Sequence, residues 1–509
     1  MGMKFVTDLH LHSKYSRAVS QDMTLPKMAE WARMKGIDVL ATGDFCHPFW
    51  FEQLKNELEE TSKGLFRLKT NDTSASLSAS QRLMQKKQAL DINQSALDEE
   101  VYFLLSCEIS SIYSQGGKGR RIHNLFFFPS LKSVEKFNKE LILRGANLRS
   151  DGRPIVGITS ADLTKIALNI DKKALIIPAH AWTPWFSIFG SFSGFDSISE
   201  CFGDMAPYIY GIETGLSSDP AMNWQIADLD KRAILSFSDA HSLEKMGREA
   251  TVFEADELSY DAIYRAIAGP VSSFPSVPSI NSGQAVRVYP ERSRRAVGNP
   301  SRTAIRNLSN HPTIQPSNYP KIAFTIEFYP EEGKYHYTGH RDCRVSQSPE
   351  ETAQNGAICP VCGRQLTVGV MHRVEELKTR DTKHVTRDMN GVRWVYDEKK
   401  LRPPYVSLVP LGEIIAEALG TAVKTKGVYE QYKLLVDNFG SEFAVLLKTQ
   451  IDDLRKVAHP KIVEGIAKVR NGEIKIEPGY DGKFGVVKIW DEVGEEQVET
   501  KEDQLDLFA

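Results

Sequence analysis

One pattern recurs through the first half of the chain and constrains its fold more than any other: a short apolar run that closes on residues able to bind metal. In order the runs are KFVTDLHLH, DVLATGDFCH, VYFLLSCEI, RRIHNLFFF, ALIIPAHAW, YIYGIET and AILSFSDAH. Side chains two apart on a strand share a face, so the first run alone aims Asp8, His10 and His12 in one direction. Helical stretches such as LPKMAEWARMKG and ELSYDAIYRAIAG lie between or after the runs. Strands that alternate with helices and are apolar nearly throughout predict a parallel α/β sheet. In barrels of that class the functional residues stand at the C-terminal strand ends. His10, His12, Asp44, Glu108, His123, His180, Glu213, Asp239 and His241 are therefore expected to point into one mouth.

A lone histidine after a strand is commonly a satisfied core or surface residue, but repetition over several strand ends argues for a shared purpose. Imidazole and carboxylate together suit divalent ions of borderline hardness, and this set has the mixture for two or three. Such ions acidify water near neutral pH and clamp the oxygens of a phosphoryl displacement. Phosphoester hydrolysis is the chemistry expected.

A second metal site is predicted downstream, in GHRDCRVSQSPEETAQNGAICPVCGRQL. His340 and Cys343 form an HxxC pair and Cys359 and Cys362 a CxxC knuckle. Four N/S ligands are what a closed, structural zinc demands; His336 is the alternative to His340 as the imidazole. Zinc there holds a small module together rather than performing catalysis.

Three of the chain's six cysteines sit in that cluster and the others are scattered, which is too sparse for a disulfide framework. There is no run of eighteen apolar residues and no basic-then-apolar leader, so neither a membrane span nor export is expected, and the expected location is the cytoplasm. The net charge of -3 selects no partner class, since local patches still bind anions. Lys118, Arg120 and Arg121 occupy a Gly-rich loop just before His123 and suit a phosphodiester chain; Lys14, beside the first motif, is placed with them. AWTPWFSIFGSFSGF follows His180 with Trp182, Trp185, Phe186, Phe189 and Phe192. Core packing is the commoner fate of such aromatics, but an unstacked base can also stack on them, so Trp182 and Trp185 are candidate nucleic-acid contacts and which of the five touches a base stays open.

In this order, DLHLHS, GD..H, CE, H, PAH and SDAHS resemble the PHP (polymerase and histidinol phosphatase) superfamily over residues 1–270. The resemblance implies a distorted barrel of seven β/α units holding up to three metals. One ion would be held by His10, His12, Glu108 and Asp239, and a second, bridged by Glu108, by His123 and His180. A third would use Asp44 and His241 with His47. Where many relatives carry an acid or histidine after the first motif, this chain has Arg17 and Ala18, which leaves the third ion looser or absent. Arg17 is either a phosphate-binding guanidinium or a surface cation. Glu108, Asp239 and Arg17 are the residues expected to carry catalysis, with zinc, manganese or magnesium as the ions.

HSKYSRAVSQDM, SCEISSIYSQGGKGRRIHN, DGRPIVGITSADL, PAHAWTPWFSIFG and MHRVEELKTR are similar to the endonuclease Q family within that superfamily. This resemblance extends over most of the chain. It implies a DNA-repair endonuclease that nicks 5′ of deaminated bases (uracil, hypoxanthine, xanthine) and of abasic sites. The organisation expected is a catalytic barrel over 1–270, a disordered basic insertion over 271–320, a zinc module over 321–380, a mainly helical region over 381–490 and an acidic tail over 491–509. The tail ends in QLDLFA, where Gln504, Leu505, Leu507 and Phe508 resemble the peptide by which bacterial proteins dock on the sliding clamp. The alternatives are a small-molecule phosphoesterase on the same barrel, like histidinol phosphatase, and a non-catalytic DNA- or clamp-binding scaffold.

Overall fold

The structure, a computed structural model, describes residues 2–69, 100–269 and 319–490. Most of the expected 271–320 insertion and the acidic tail with its QLDLFA peptide lie outside the described residues, as do residues 70–99.

The fold is mixed α/β around a central sheet. Strand β1 (Met3–Asp8) pairs in parallel with β2 (Val39–Ala41), which pairs in parallel with β3 (Tyr102–Gln115). Between β1 and β2 runs helix α1 (Leu25–Lys35), whose Leu25, Met28, Ala29 and Ala32 recur at helical spacing and are buried. It stops at Gly36, which takes the left-handed conformation at φ 86°.

The expectation of an all-parallel sheet is corrected at the fourth strand. β3 turns through Gly116 and Gly117 (φ 63° and 75°) into β4 (Lys118–Phe128), which runs antiparallel beside it. Two successive residues with positive φ make the turn whose twist matches a hairpin, and glycine adopts it without steric cost. His123 consequently sits mid-strand opposite Ser110, not at a C-terminal strand end. Apolar content does not encode strand direction, which is why the run RRIHNLFFF read as one more parallel strand.

β5 (Leu175–Pro178) is antiparallel to β4 and so regains the direction of β1. β6 (Gly211–Glu213) and β7 (Ala233–Leu235) pair in parallel. The Ala181 N–H donates to the Glu213 carbonyl at 3.0 Å, and a bridge between Leu11 and Ala240 returns the ring to β1. Both faces of these strands are covered. Phe103, Leu104 and Leu105 are consecutive and all fully buried, as strands between a barrel core and a helical layer require.

β8 (Ala250–Ala255) flanks β1 antiparallel, and β9 (Lys321–Glu327) flanks β8. Residues 321–327, assigned from sequence to the start of the zinc module, are thus a strand of the barrel's own sheet. The sheet continues through the hairpin β10 (His384–Asp388) and β11 (Arg393–Asp397) to β12 (Tyr405–Ser407), which lies between β11 and β9. The region read as mainly helical therefore opens with strands.

Five helices follow among the described residues: α2 (Leu411–Leu419), α3 (Lys426–Phe439), α4 (Glu442–Leu447), the short α5 (Ile451–Leu454) and α6 (Pro460–Asn471). They are fastened to the barrel through Glu442. Its carboxylate lies 2.7 Å from Lys35 of α1, with both side chains under 5% exposed, and accepts bonds from the Leu411 N–H and the Tyr432 hydroxyl. A buried charge with both oxygens engaged fixes one docking geometry. Among the described residues no helix is long and apolar enough to cross a membrane.

Candidate metal centre

The mouth is assembled by backbone locks before any ligand is placed. Asp8, at the end of β1, is fully buried and accepts the N–H groups of Ser238 and Gly247 at 3.0 and 2.9 Å. Burial pushes its pKa up to about 6, against those bonds. The lock brings the segment carrying Asp239 and His241 alongside His10 and His12. Asp44, His180 and Asp239 adopt left-handed backbone at φ 50°, 31° and 47°. Each costs on the order of 1–3 kcal/mol in a residue with a side chain, and such strain gathers at functional sites.

Glu108 stands at the centre. Its Oε2 lies 3.4 Å from His12 Nε2 and 3.8 Å from His10 Nε2, while its Oε1 lies 2.6 Å from His123 Nδ1 and 3.2 Å from His180 Nε2. Asp239 Oδ1 closes the first group at 3.4 Å from His10 Nε2 and 3.3 Å from His12 Nε2. Three sets of side chains each offer ligand atoms within 4.8 Å of one another: His10 with His12 and Glu108; Glu108 with His123 and His180; and His12 with Asp239 and His241.

These residues fit cations. His10 Nε2, His12 Nε2 and Asp239 Oδ1 are buried and have no hydrogen-bond partner, which would be costly unless a ligand satisfies them. Burial disfavours charge throughout the cluster, but it is overridden at its acids. His123 and Arg153 hold Glu108 well below the carboxylate range, and His10, His12 and His241 do the same for Asp239. Around His10 and His12 the carboxylates outweigh burial and draw both imidazoles well above their ordinary values. Burial wins at His123 and His241, which fall to about 4. The result is ionised oxygen donors among imidazoles whose far nitrogens are already oriented.

That orientation comes from two acids. Glu213 Oε1 lies 2.9 Å from His10 Nδ1, and Asp44 Oδ1 lies 3.1 Å from His12 Nδ1. Asp44 also accepts the Ser13 N–H and the hydroxyls of Ser13 and Ser16. The expected third-ion residues Asp44, His241 and His47 do not form one ligand group among the described residues: Asp44 lies against His12, and His47 stacks on Tyr15 with ring centroids 4.6 Å apart. His241 instead joins His12 and Asp239.

In the second site, Cys343, Cys359, Cys362 and His340 bring their ligand atoms together, with Cys362 Sγ 3.4 Å from His340 Nδ1. A short hairpin, Thr338–His340 against Val345–Gln347, presents the first pair. His336 is buried toward the Ser217 carbonyl and stays outside the group. The set matches a tetrahedral zinc.

Several residues read as DNA contacts are structural. Trp182 is buried, donates to Asn223 Oδ1 at 2.7 Å and packs on Phe189. Arg120 is buried as well, bound to the Gly194 carbonyl and Glu200 and lying over Phe195. Lys118 and Arg121 are exposed on the hairpin. Lys14 lies over the Tyr15 ring, and Trp185 stacks on Phe192 at 4.8 Å beside Tyr335. Arg17 points outward, with its side chain 72% exposed near Asp151. The guanidinium that enters the centre is that of Arg153, 3.2 Å from Glu108 Oε2. Its only sequence signal was a cation inside the turn-forming DGRP.

Residues 227–269 match the family described as PHP-associated, and residues 410–473 match the MJ0043 C-terminal domain family. The chain is 30% identical to the uncharacterized protein MJ0043 of Methanocaldococcus jannaschii over 310 residues, which are 60% of this chain and 31% of that protein. It thus spans about a third of the length of that relative. It is 26% identical to the uncharacterized protein YqxK of Bacillus subtilis, over 95% of this chain and 99% of the other. Among solved structures it is similar to the lesion-specific endonuclease PfuEndoQ from Pyrococcus furiosus, with a TM-score of 0.69, 28% identity, and 96% and 95% of the two chains covered. It is similar also to endonuclease Q in complex with a 27-mer duplex carrying an abasic lesion at the active site, with a TM-score of 0.70, 29% identity, and 98% and 99% covered.

Proposed function

We propose that this chain, which carries the fold of endonuclease Q on a PHP-type barrel, is a metal-dependent endonuclease that incises damaged DNA. The observation that carries this reading is the position of Glu108, one oxygen facing His10 and His12 and the other facing His123 and His180. A carboxylate shared in this way suits two neighbouring cations, the arrangement that grips attacking and leaving oxygens of a phosphodiester. Divalent ions bound there supply Lewis acidity toward the phosphate and acidify water.

The chain's own residues supply position. Glu213 and Asp44 fix the imidazole tautomers of His10 and His12 through Nδ1, leaving each Nε2 free to ligate. Asp239 completes the first group, while His123 and His180 form the second. Lys118 and Arg121 offer exposed cations at the rim for the phosphate backbone. Trp185, stacked on Phe192, offers an aromatic surface to an unstacked base.

The finer reading rests on likeness and on peptide composition. We infer incision 5′ of the lesion, with uracil, hypoxanthine and xanthine substrates alongside abasic sites. We also infer two barrel ions, with His241 available to a third, and one structural zinc. Gln504, Leu505, Leu507 and Phe508 would dock on a bacterial sliding clamp by presenting apolar anchors on an acidic tail.

The test is a panel of labelled duplexes identical but for one position, carrying an abasic site, uracil, hypoxanthine, xanthine or an undamaged base. Nicks confined to the 5′ side of the lesion support the reading. Turnover of phosphate monoesters with no incision of any duplex would replace it with a small-molecule phosphoesterase.

A further inference from the structure

Arg153 is a permanent cation held inside a cluster built to receive cations. Its Nη1 donates to Glu108 Oε2 at 3.2 Å, and Glu108 Oε2 is also the oxygen of that carboxylate that faces His10 Nε2 and His12 Nε2. The side chain is 16% exposed. Among the described residues the guanidinium makes no other hydrogen bond to the protein, although it carries five donors.

The loop holds it there firmly. The Gly152 N–H donates to the Tyr15 carbonyl, and the Ser110 N–H to the Pro154 carbonyl, both at 3.0 Å. Asp151 accepts the N–H groups of Arg17 and Arg153 at 3.3 and 3.1 Å. Gly152 is packed so closely that a Cβ would fall 2.5 Å from the Asp44 carboxyl carbon. The turn thus clasps both the first motif and β3, and Arg153 projects from it with little freedom.

A cation placed against a metal ligand repels the metal, so its presence has to be offset by something it binds. An anion arriving with the substrate satisfies that condition. Guanidinium matches two oxygens of a phosphate through parallel N–H bonds and strengthens as charge builds on those oxygens during displacement. We propose that Arg153 is a further catalytic residue, contacting a non-bridging oxygen of the scissile phosphate. It takes the part expected of Arg17, whose exposed side chain faces Asp151 instead. The guanidinium transfers no proton. The proposal rests on the nuclease reading, and its test separates the two.

Wild type, Arg153→Lys and Arg153→Ala are compared on the abasic duplex in kcat and KM, in bound metal by elemental analysis, and in competitive inhibition by inorganic phosphate. The expected result is a fall in kcat of about 100- to 1,000-fold for the alanine variant, a smaller fall for lysine, unchanged metal content and phosphate inhibition weakened at least about tenfold. Unchanged kcat and phosphate inhibition overturn the proposal, as does loss of metal in step with activity, which makes Arg153 a charge-balancing residue. If the alanine variant fails to fold, the lysine variant decides by the same criteria. Failure of the wild type to cut any duplex removes the nuclease reading itself, and phosphate inhibition of its monoester turnover then judges Arg153 alone.

Discussion

Asp44 Oδ1 lies 3.1 Å from His12 Nδ1, and the opposite nitrogen of the same ring, Nε2, lies 3.3 Å from Asp239 and has no hydrogen-bond partner. The acid sets the tautomer and the pitch of a ring whose other face meets the cluster. Partners of this kind raise ligand basicity and hold ring orientation.

Asp44→Asn should therefore weaken metal binding by about 10- to 100-fold without changing how many ions the barrel holds at saturation. Calorimetric titration of the metal-stripped protein reads both quantities. A stoichiometry lower by one ion would make Asp44 a ligand after all.

Cys343→Ser should release about one zinc per chain and open the segment between Thr338 and Leu366 to proteolysis, because that module closes around its four ligands. Barrel ions and their chemistry should persist. Elemental analysis with limited proteolysis checks this, and unaltered zinc content would contradict a structural site there.

Glu327 gives a pH prediction. It is buried in β9 with Ser236 and Thr214 hydroxyls donating to it, and burial pushes its pKa from 4.5 up to about 8. Its neighbour Glu249 is also buried and pushed well up, chiefly by burial and then by Glu327. The folded state holds the Glu327 proton more tightly than the unfolded chain. Its contribution is accordingly full below pH 4.5 and is lost as the pH climbs toward 8. Glu327→Gln should flatten that decline and stabilise the protein at pH 8 by on the order of 2 kcal/mol. Melting temperatures of both proteins from pH 5 to 8 in chelator test it, and parallel curves would refute it.

The sequence revealed what the metal chemistry itself demands. The grouping of His10, His12, Glu108, Asp239, His123 and His180 was legible because cations require imidazole and carboxylate, although Glu108 and His123 lie within β3 and β4 and not at strand ends. His340, Cys343, Cys359 and Cys362 were legible because short ligand spacings leave little geometric choice. Direction and burial were not. β4 reads like its parallel neighbours until the Gly116–Gly117 turn reverses it, and periodicity carries no sign. Trp182 and Arg120 looked like DNA contacts from composition, yet they are anchored to Asn223 and Glu200 by residues distant in the chain. Asp44 is as good a ligand as a partner of one, and its position against His12, Ser13 and Ser16 could not be read from the sequence. Arg153 enters the centre through contacts of its loop with Tyr15 and Ser110, which no local pattern announces.

The most direct measurement is single-turnover incision of a duplex with one abasic site, run on metal-stripped protein, on protein resupplied with manganese or magnesium, and on Glu108→Ala under the same conditions. The account predicts a single nick 5′ of the lesion, only with metal restored and only with Glu108 in place, while the variant still binds the duplex. Cutting that survives chelation, or that Glu108→Ala performs as well as the wild type, would contradict it.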